Sequence, residues 1–139
     1  MSGPSIAARW KSWGPVTQSL LRIVAGFLFM SSGSVILFGY PMGMPDGGKV
    51  ALLSQIGIGG MLEFYGGILL MLGLGTRPVA FLLSGEMAVA YWQFHAGKAL
   101  WPVMNGGTDA ALFCFLFLFF SAAGGGPWSL DALRQKRAA

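Results

Sequence analysis

The chain has 139 residues, of which 55% fall in the hydrophobic set and 10% are charged, with a mean hydropathy of +0.65. Soluble domains carry roughly 25% charged residues, and a 14.7 kDa globule has too little interior to hide this much apolar side chain, so the composition excludes a soluble enzyme and makes lipid the solvent. A net charge of +4 and a pI near 9.7 would suit a nucleic-acid partner, but the basic residues are few and scattered, without a DNA- or RNA-binding motif, and read instead as topology signals.

In chain order the apolar segments are Leu20 to Phe38, Leu52 to Leu74, Pro78 to Phe94 and Ala110 to Ala123. A spanning helix needs about 20 apolar residues. The first two segments meet this, the third nearly does, and the fourth does when extended to about Asn105 and Gly125, which draws Asp109 into its first turn. The expected fold is an all-α integral membrane protein, a four-transmembrane-helix bundle in one domain over 1–139, with spans near 18–39, 52–74, 77–95 and 106–124. Helix-breaking connections separate them: Tyr40 to Gly48, the turn Gly73 to Pro78, and Ala96 to Thr108. Arg9, Lys11, Arg22, Arg77, Arg134, Lys136 and Arg137 fall on one side, against Lys49 and Lys98 on the other, which predicts both termini in the cytoplasm. Trp10, Trp13, Trp101 and Trp128 sit at span ends as interfacial anchors. The first segment follows basic residues as a signal peptide would, but its 19 residues exceed a typical signal core. After Pro127, Ser129 is a potential N-cap, and Leu130, Leu133 and a basic end predict a short interfacial helix on the cytoplasmic face.

Glycines within the spans follow helical spacing. Arg22, Gly26, Phe29 and Gly33 share one face of the first span, and Gly59, Gly60, Glu63, Gly66 and Gly67 form a stripe on the second. Small residues let membrane helices approach closely, which accounts for the glycines but not for Glu63. An intramembrane carboxyl is costly unless it faces the bundle interior or a cavity. Glu63 and Glu86 lie about 16 and 14 Å above the Arg77 turn, so on adjacent antiparallel helices they are placed to meet, to share a proton, or to be bridged by Arg22 snorkelling along its helix. Near the opposite surface, His95 closes the third span, Asn105-Gly106-Gly107 closes the loop, and Asp109 opens the fourth span. Asn105 or Thr108 can cap that helix, with Asp109 complementing its dipole. Alternatively, His95 and Asp109 exchange protons near a quinone or another small molecule. The ligand-binding set is then Arg22, Glu63, Glu86, His95 and Asn105, and the proton-exchange set is Glu63, Glu86, His95 and Asp109.

No metal is expected. One histidine cannot supply bis-histidine haem ligation, neither Glu opens a Glu-x-x-His di-iron motif, and roughly 13 Å of depth separates the Glu pair from His95. Cys114 is alone, which excludes an intrachain disulfide and leaves redox chemistry to a cofactor or partner. Phe113, Phe115, Phe117, Phe119 and Phe120 face both sides of one helix, as packing and lipid-facing residues do.

Taken in order, Leu20-Leu21-Arg22, Glu63-Phe64-Tyr65-Gly66-Gly67, Gly73-Leu74-Gly75-Thr76-Arg77, His95, Asn105-Gly106-Gly107 and Gly126-Pro127-Trp128-Ser129-Leu130-Asp131 resemble the DoxX family from about Leu20 to Leu133. The resemblance implies a four-helix protein of the bacterial inner membrane. It also implies association with oxidoreductases, since the family takes its name from a subunit linked to archaeal terminal oxidase and thiosulfate:quinone oxidoreductase activity. The family usually shows Glu after Asn-Gly-Gly, whereas Thr108 and Asp109 follow here. The expected function is a redox-associated membrane component binding quinone or another small amphiphile. The alternative is an accessory or assembly subunit whose glycine faces pack against a second copy or a larger oxidoreductase. A transporter is disfavoured by the lack of visible inverted repeats.

Overall fold

The computed structural model describes residues 6–43 and 47–138; the middle of the Tyr40–Gly48 loop lies outside the described residues, and so do the side chains of Ala8 and Arg9. The described residues form six α-helices and no strand: α1 (Ile6–Phe38), α2 (Gln55–Leu72), α3 (Thr76–Ala90), α4 (Pro102–Asn105), α5 (Thr108–Ala123) and α6 (Leu130–Ala138). One π-helical turn, Tyr91–His95, continues α3. The helix containing the first apolar segment starts well before position 18 and runs 33 residues through Pro15, carrying Trp10 and Trp13 exposed on its first turns. By length and composition two helices can cross a membrane, Trp10–Phe38 within α1 and all of α2; α5, with 16 residues, is apolar but shorter.

Helix α2 has defined ends. Ser54 accepts from the Gly57 N–H at 3.1 Å, the usual N-cap geometry. At the other end Gly73 takes φ 66°, and the Leu74 and Gly73 N–H groups return to the Leu69 and Leu70 carbonyls at 3.0 Å, a Schellman stop that the left-handed glycine permits. The chain then turns directly into α3.

The glycine stripe of α2 serves two neighbours. Gly60 and Gly67 meet α1, and Gly59 and Gly66 meet α3. A Cβ on Gly26 would stand 2.7 Å from the Gly67 carbonyl oxygen, and one on Gly67 would stand 2.7 Å from that of Gly26. Gly33 packs in the same way on Gly60 and Phe64. Two glycines seven residues apart on each antiparallel helix thus bring α1 and α2 into backbone contact, where dispersion and close packing supply the attraction that lipid cannot. On the other side Gly66 receives the Leu83 side chain and Gly59 lies beside the Glu86 carboxyl.

Helix α3 packs chiefly on α5, where the Ser84 hydroxyl donates to the Cys114 carbonyl at 2.8 Å. The core gathers Ala25, Phe29, Leu70, Ala80, Leu83, Met87, Ala110, Phe117 and Phe120. Phe29 meets Phe117 edge-on at 4.8 Å and Phe113 at 5.5 Å, joining α1 to α5. Phe115 and Phe119 point outward, so the phenylalanine run divides between core and exterior.

The α1–α2 contact predicts a sharp positional contrast. Gly67→Val should lower the melting temperature in detergent, with a cost near or above the roughly 1–3 kcal/mol of core overpacking, because the obstructing atoms are backbone. Gly14→Ala, with open space at its Cβ, should leave the melting temperature unchanged or raise it.

Candidate functional site

A cavity of about 710 Å³ lies between α2 and α3, walled by apolar side chains such as Ile58, Leu62, Phe81 and Phe94. Glu63, Glu86 and His95 all line it. The antiparallel register that sets Gly66 against Leu83 also sets Glu63 against Glu86, and the two carboxyls lie within electrostatic reach of one another. Ser32 on α1 offers its hydroxyl to Glu63. One oxygen of each acid, Glu63 Oε2 and Glu86 Oε2, is buried with no hydrogen-bond partner. A buried polar atom left unpaired costs roughly 1–3 kcal/mol, so two at one apolar wall mark where a further polar group fits.

The π turn carries the groove to His95. Its closing bond runs from the Ala96 N–H to the Tyr91 carbonyl at 2.9 Å, and the His95 ring stacks on that of Tyr91 at 6.5 Å. His95 Nδ1 lies 3.1 Å from the Asn105 carbonyl oxygen, an acceptor, which fixes the proton on Nδ1 and leaves the Nε2 lone pair free to accept. Asn105 is itself buried and occupied: its amide donates to the Ala99 carbonyl at 3.0 Å and the Tyr91 hydroxyl at 3.4 Å, while its Oδ1 accepts the Gly107 N–H at 2.8 Å. Asn105 therefore shapes the loop beneath His95 and does not line the groove. Gly107 is needed there, since a Cβ would stand 2.7 Å from the Tyr91 ring and 2.8 Å from the His95 Cβ. Asp109 is exposed in the first turn of α5, outside the groove, where its charge suits the helix dipole.

Arg22 does not bridge the carboxyls. It is completely buried at the far end of α2, where Nε donates to the Gly125 carbonyl at 2.8 Å, Nη1 to those of Leu70 and Met71, and Nη2 to that of Trp128 at 2.6 Å. Snorkelling would have kept the guanidinium on its own helix, but the C-terminal carbonyls of α2 and the Gly-rich segment before α6 form a nearer, fully accepting cage. Gln18 and Ser19 extend this contact: the Gln18 amide donates to the Gly124 carbonyl at 2.8 Å, and the Ser19 hydroxyl accepts the Trp128 N–H at 3.3 Å.

Asp131 plays a role that residue patterns did not suggest. Its carboxylate accepts the Gly75 and Thr76 N–H groups at 2.8 Å, capping α3 from a helix more than 50 positions away, while its own N–H donates to the Gly73 carbonyl at 2.9 Å. Partial burial pushes this carboxyl up, but the two backbone N–H groups and the Arg134 charge outweigh it and hold the group below the ordinary carboxylate range. Ser129 caps α6 as its position suggested, accepting the Ala132 N–H at 3.1 Å. The only sequence signal for Asp131 was its place at the end of the Gly126 to Asp131 motif. A second unforeseen tie joins Gln55, opening α2, to Gln93 in the π turn.

These contacts generate two expectations. Arg22→Leu should lower thermal stability in detergent by about 3 kcal/mol or more, because it takes the guanidinium donors away from the Leu70, Met71, Gly125 and Trp128 carbonyls, of which Leu70 keeps the Gly73 N–H. Arg22→Lys should recover only part of the loss, since an ammonium cannot fork among carbonyls so placed. The folded pKa of Asp131 lies below its unfolded value, so its stabilisation is fully present above pH 3.8 and fades as pH falls through the folded value. Asp131→Asn should remove that share of the acid-side dependence in melting curves recorded across this pH range.

The comparisons with known proteins follow the same pattern. The DoxX family model matches residues 17–96, covering α1 from Thr17 onward, α2, α3 and the π turn. An uncharacterized protein of Haemophilus influenzae (strain ATCC 51907 / DSM 11121 / KW20 / Rd) is 37% identical over 124 residues, which cover 87% of this chain and 92% of that protein. No solved structure matches. With the family match over more than half its length and a relative spanning nearly all of it, the chain belongs to the DoxX family of membrane proteins.

Proposed function

We propose that this protein is a four-span component of the bacterial inner membrane that binds a small amphiphile, a quinone in the redox-associated reading, in the groove between α2 and α3. Glu63 and Glu86 exchange protons with the ligand's polar head, and His95 Nε2 accepts a proton at the outer mouth. The observation that carries this reading is the pair of buried, unpartnered carboxyl oxygens, Glu63 Oε2 and Glu86 Oε2, on the wall of an apolar cavity. A concave apolar site with a few converging polar groups is the usual form of a small-molecule site.

The remaining spans in this reading are α3, continued by the π turn to His95, and α5. Phe81, Trp92, Leu112 and Phe115 on these segments are each more than 60% exposed, a burden suited to lipid and not to water. The charge bias supports an orientation with the Arg22 and Arg77 end in the cytoplasm. The accessory-subunit alternative needs glycine faces free for a partner, and Gly26, Gly33, Gly60 and Gly67 are already spent on the α1–α2 contact.

Gly85 gives the cleanest test. It lines the groove with open space at its Cβ, so Gly85→Leu fills the cavity without striking backbone. Protein purified in mild detergent should release a bound amphiphile on solvent extraction, identified by mass spectrometry. Gly85→Leu and Glu86→Gln should each reduce its occupancy about tenfold, the equivalent of 1.4 kcal/mol, at unchanged protein yield. Full retention of the ligand in both variants, or ligand-free protein from native membranes, would overturn the proposal.

A further inference from the structure

A second cavity, of about 560 Å³, lies at the other end of α3 and shares no lining residue with the groove. It is formed where the start of α3, the Gly124 to Gly126 segment after α5 and the first turns of α6 converge, and Thr76, Arg77, Ser129, Asp131, Arg134 and Gln135 supply its polar side chains. Asp131 is the one acid among the lining residues, and both its oxygens are already taken by the Gly75 and Thr76 N–H groups. The pocket therefore presents two guanidinium groups beside one carboxylate whose oxygens are each held by a backbone N–H. Arg77 is held in position by Nη1, which donates to the Ser121 and Ala122 carbonyls at the end of α5. Lys136 and Arg137 add positive charge on the last turn of α6.

Apolar side chains flank this basic pocket. Trp128 and Leu133 are more than half exposed, and Leu130 is exposed beside them. The segment does not need a ligand to fix it: Arg22 holds the Trp128 carbonyl and Gly73 holds the Asp131 N–H. We propose that this pocket binds the phosphate of an anionic phospholipid, with α6 lying in the headgroup layer and Trp128, Leu130 and Leu133 against the acyl boundary. Guanidinium groups match a phosphodiester geometrically and electrostatically. A soluble phosphate ester would use the arginines but leave the apolar flank in water, whereas a lipid satisfies both. This site stands independently of the groove and of the ligand proposed there.

Native mass spectrometry of the detergent-purified full chain tests the assignment, with phosphatidylglycerol, phosphatidylcholine and glycerol 3-phosphate supplied at equal concentration. Phosphatidylglycerol adducts should dominate over phosphatidylcholine. Arg134→Gln should weaken them about fivefold, the worth of one cation at an anionic surface, and Gln135→Glu should weaken them at least as much. Lys49→Gln, at the opposite end, should change nothing. Melting curves confirm that each variant is folded, and the two pocket variants carry the test separately should one of them fail to fold. Equal retention of the two lipids, or unchanged phosphatidylglycerol binding in the folded pocket variants, would overturn the site. Glycerol 3-phosphate binding as well as phosphatidylglycerol would overturn the lipid assignment in favour of a soluble ester.

Discussion

The guanidinium of Arg22 is the fastening on which the architecture depends. It lies in the interior, not exposed at all, and donates into four backbone carbonyls that belong to the end of α2 and to the connection between α5 and α6. A lone cation in such a place would be prohibitive. Here it is offset by carbonyl dipoles, two of them at a helix C-terminus, where a positive charge is favoured. The consequence extends beyond Arg22 itself. By fixing the Trp128 carbonyl it places α6, and from there Asp131 reaches back to cap α3. One side chain on α1 thereby ties the end of α2 to the segment that leads into the last helix, and through Asp131 to the start of α3.

Away from that end, α2 holds the bundle together by having almost no side chain on two of its faces. Gly60 and Gly67 allow α1 to approach to backbone contact, while Gly59 and Gly66 accept Glu86 and Leu83 from α3. Glu63 sits between these two glycine pairs, so its carboxyl is directed into the seam between helices. The α2–α3 contact is less extensive than the α1–α2 and α3–α5 contacts. The bundle is accordingly two close pairs with a looser seam between them, and the groove occupies that seam. Its polar contents are the two acids, Gln55 at the start of α2 and His95.

The two cavities divide the charged residues by chemistry. The groove holds acids in an apolar wall, whose unpaired oxygens call for a polar partner. The pocket at the start of α3 holds cations whose neighbouring acid is already satisfied. The same turn, Gly73 to Thr76, separates them along the chain and secures both, because its geometry sets the direction of α3 and anchors α6.

In a chain this poor in charge, composition and periodicity determined the helical class and the main helices, the ordered motifs pointed to the family, and position along the helices singled out Glu63 and Glu86. Those properties follow from local rules: apolar length, the 3.6-residue repeat, and glycine at turns. Glu63 and Glu86 were readable as neighbours because a short turn fixes antiparallel depth, and only arithmetic along the helix is needed. The destination of Arg22 was not readable. Its cage is made of main-chain carbonyls, which carry no residue-type signal, and two of them come from more than 100 positions away. The trans cap from Asp131, the division of the α2 glycine stripe between two neighbours, and the separation of Asp109 from the groove were likewise decided by tertiary packing. Each depends on which surfaces meet across distant parts of the chain, and a one-dimensional pattern does not encode that choice.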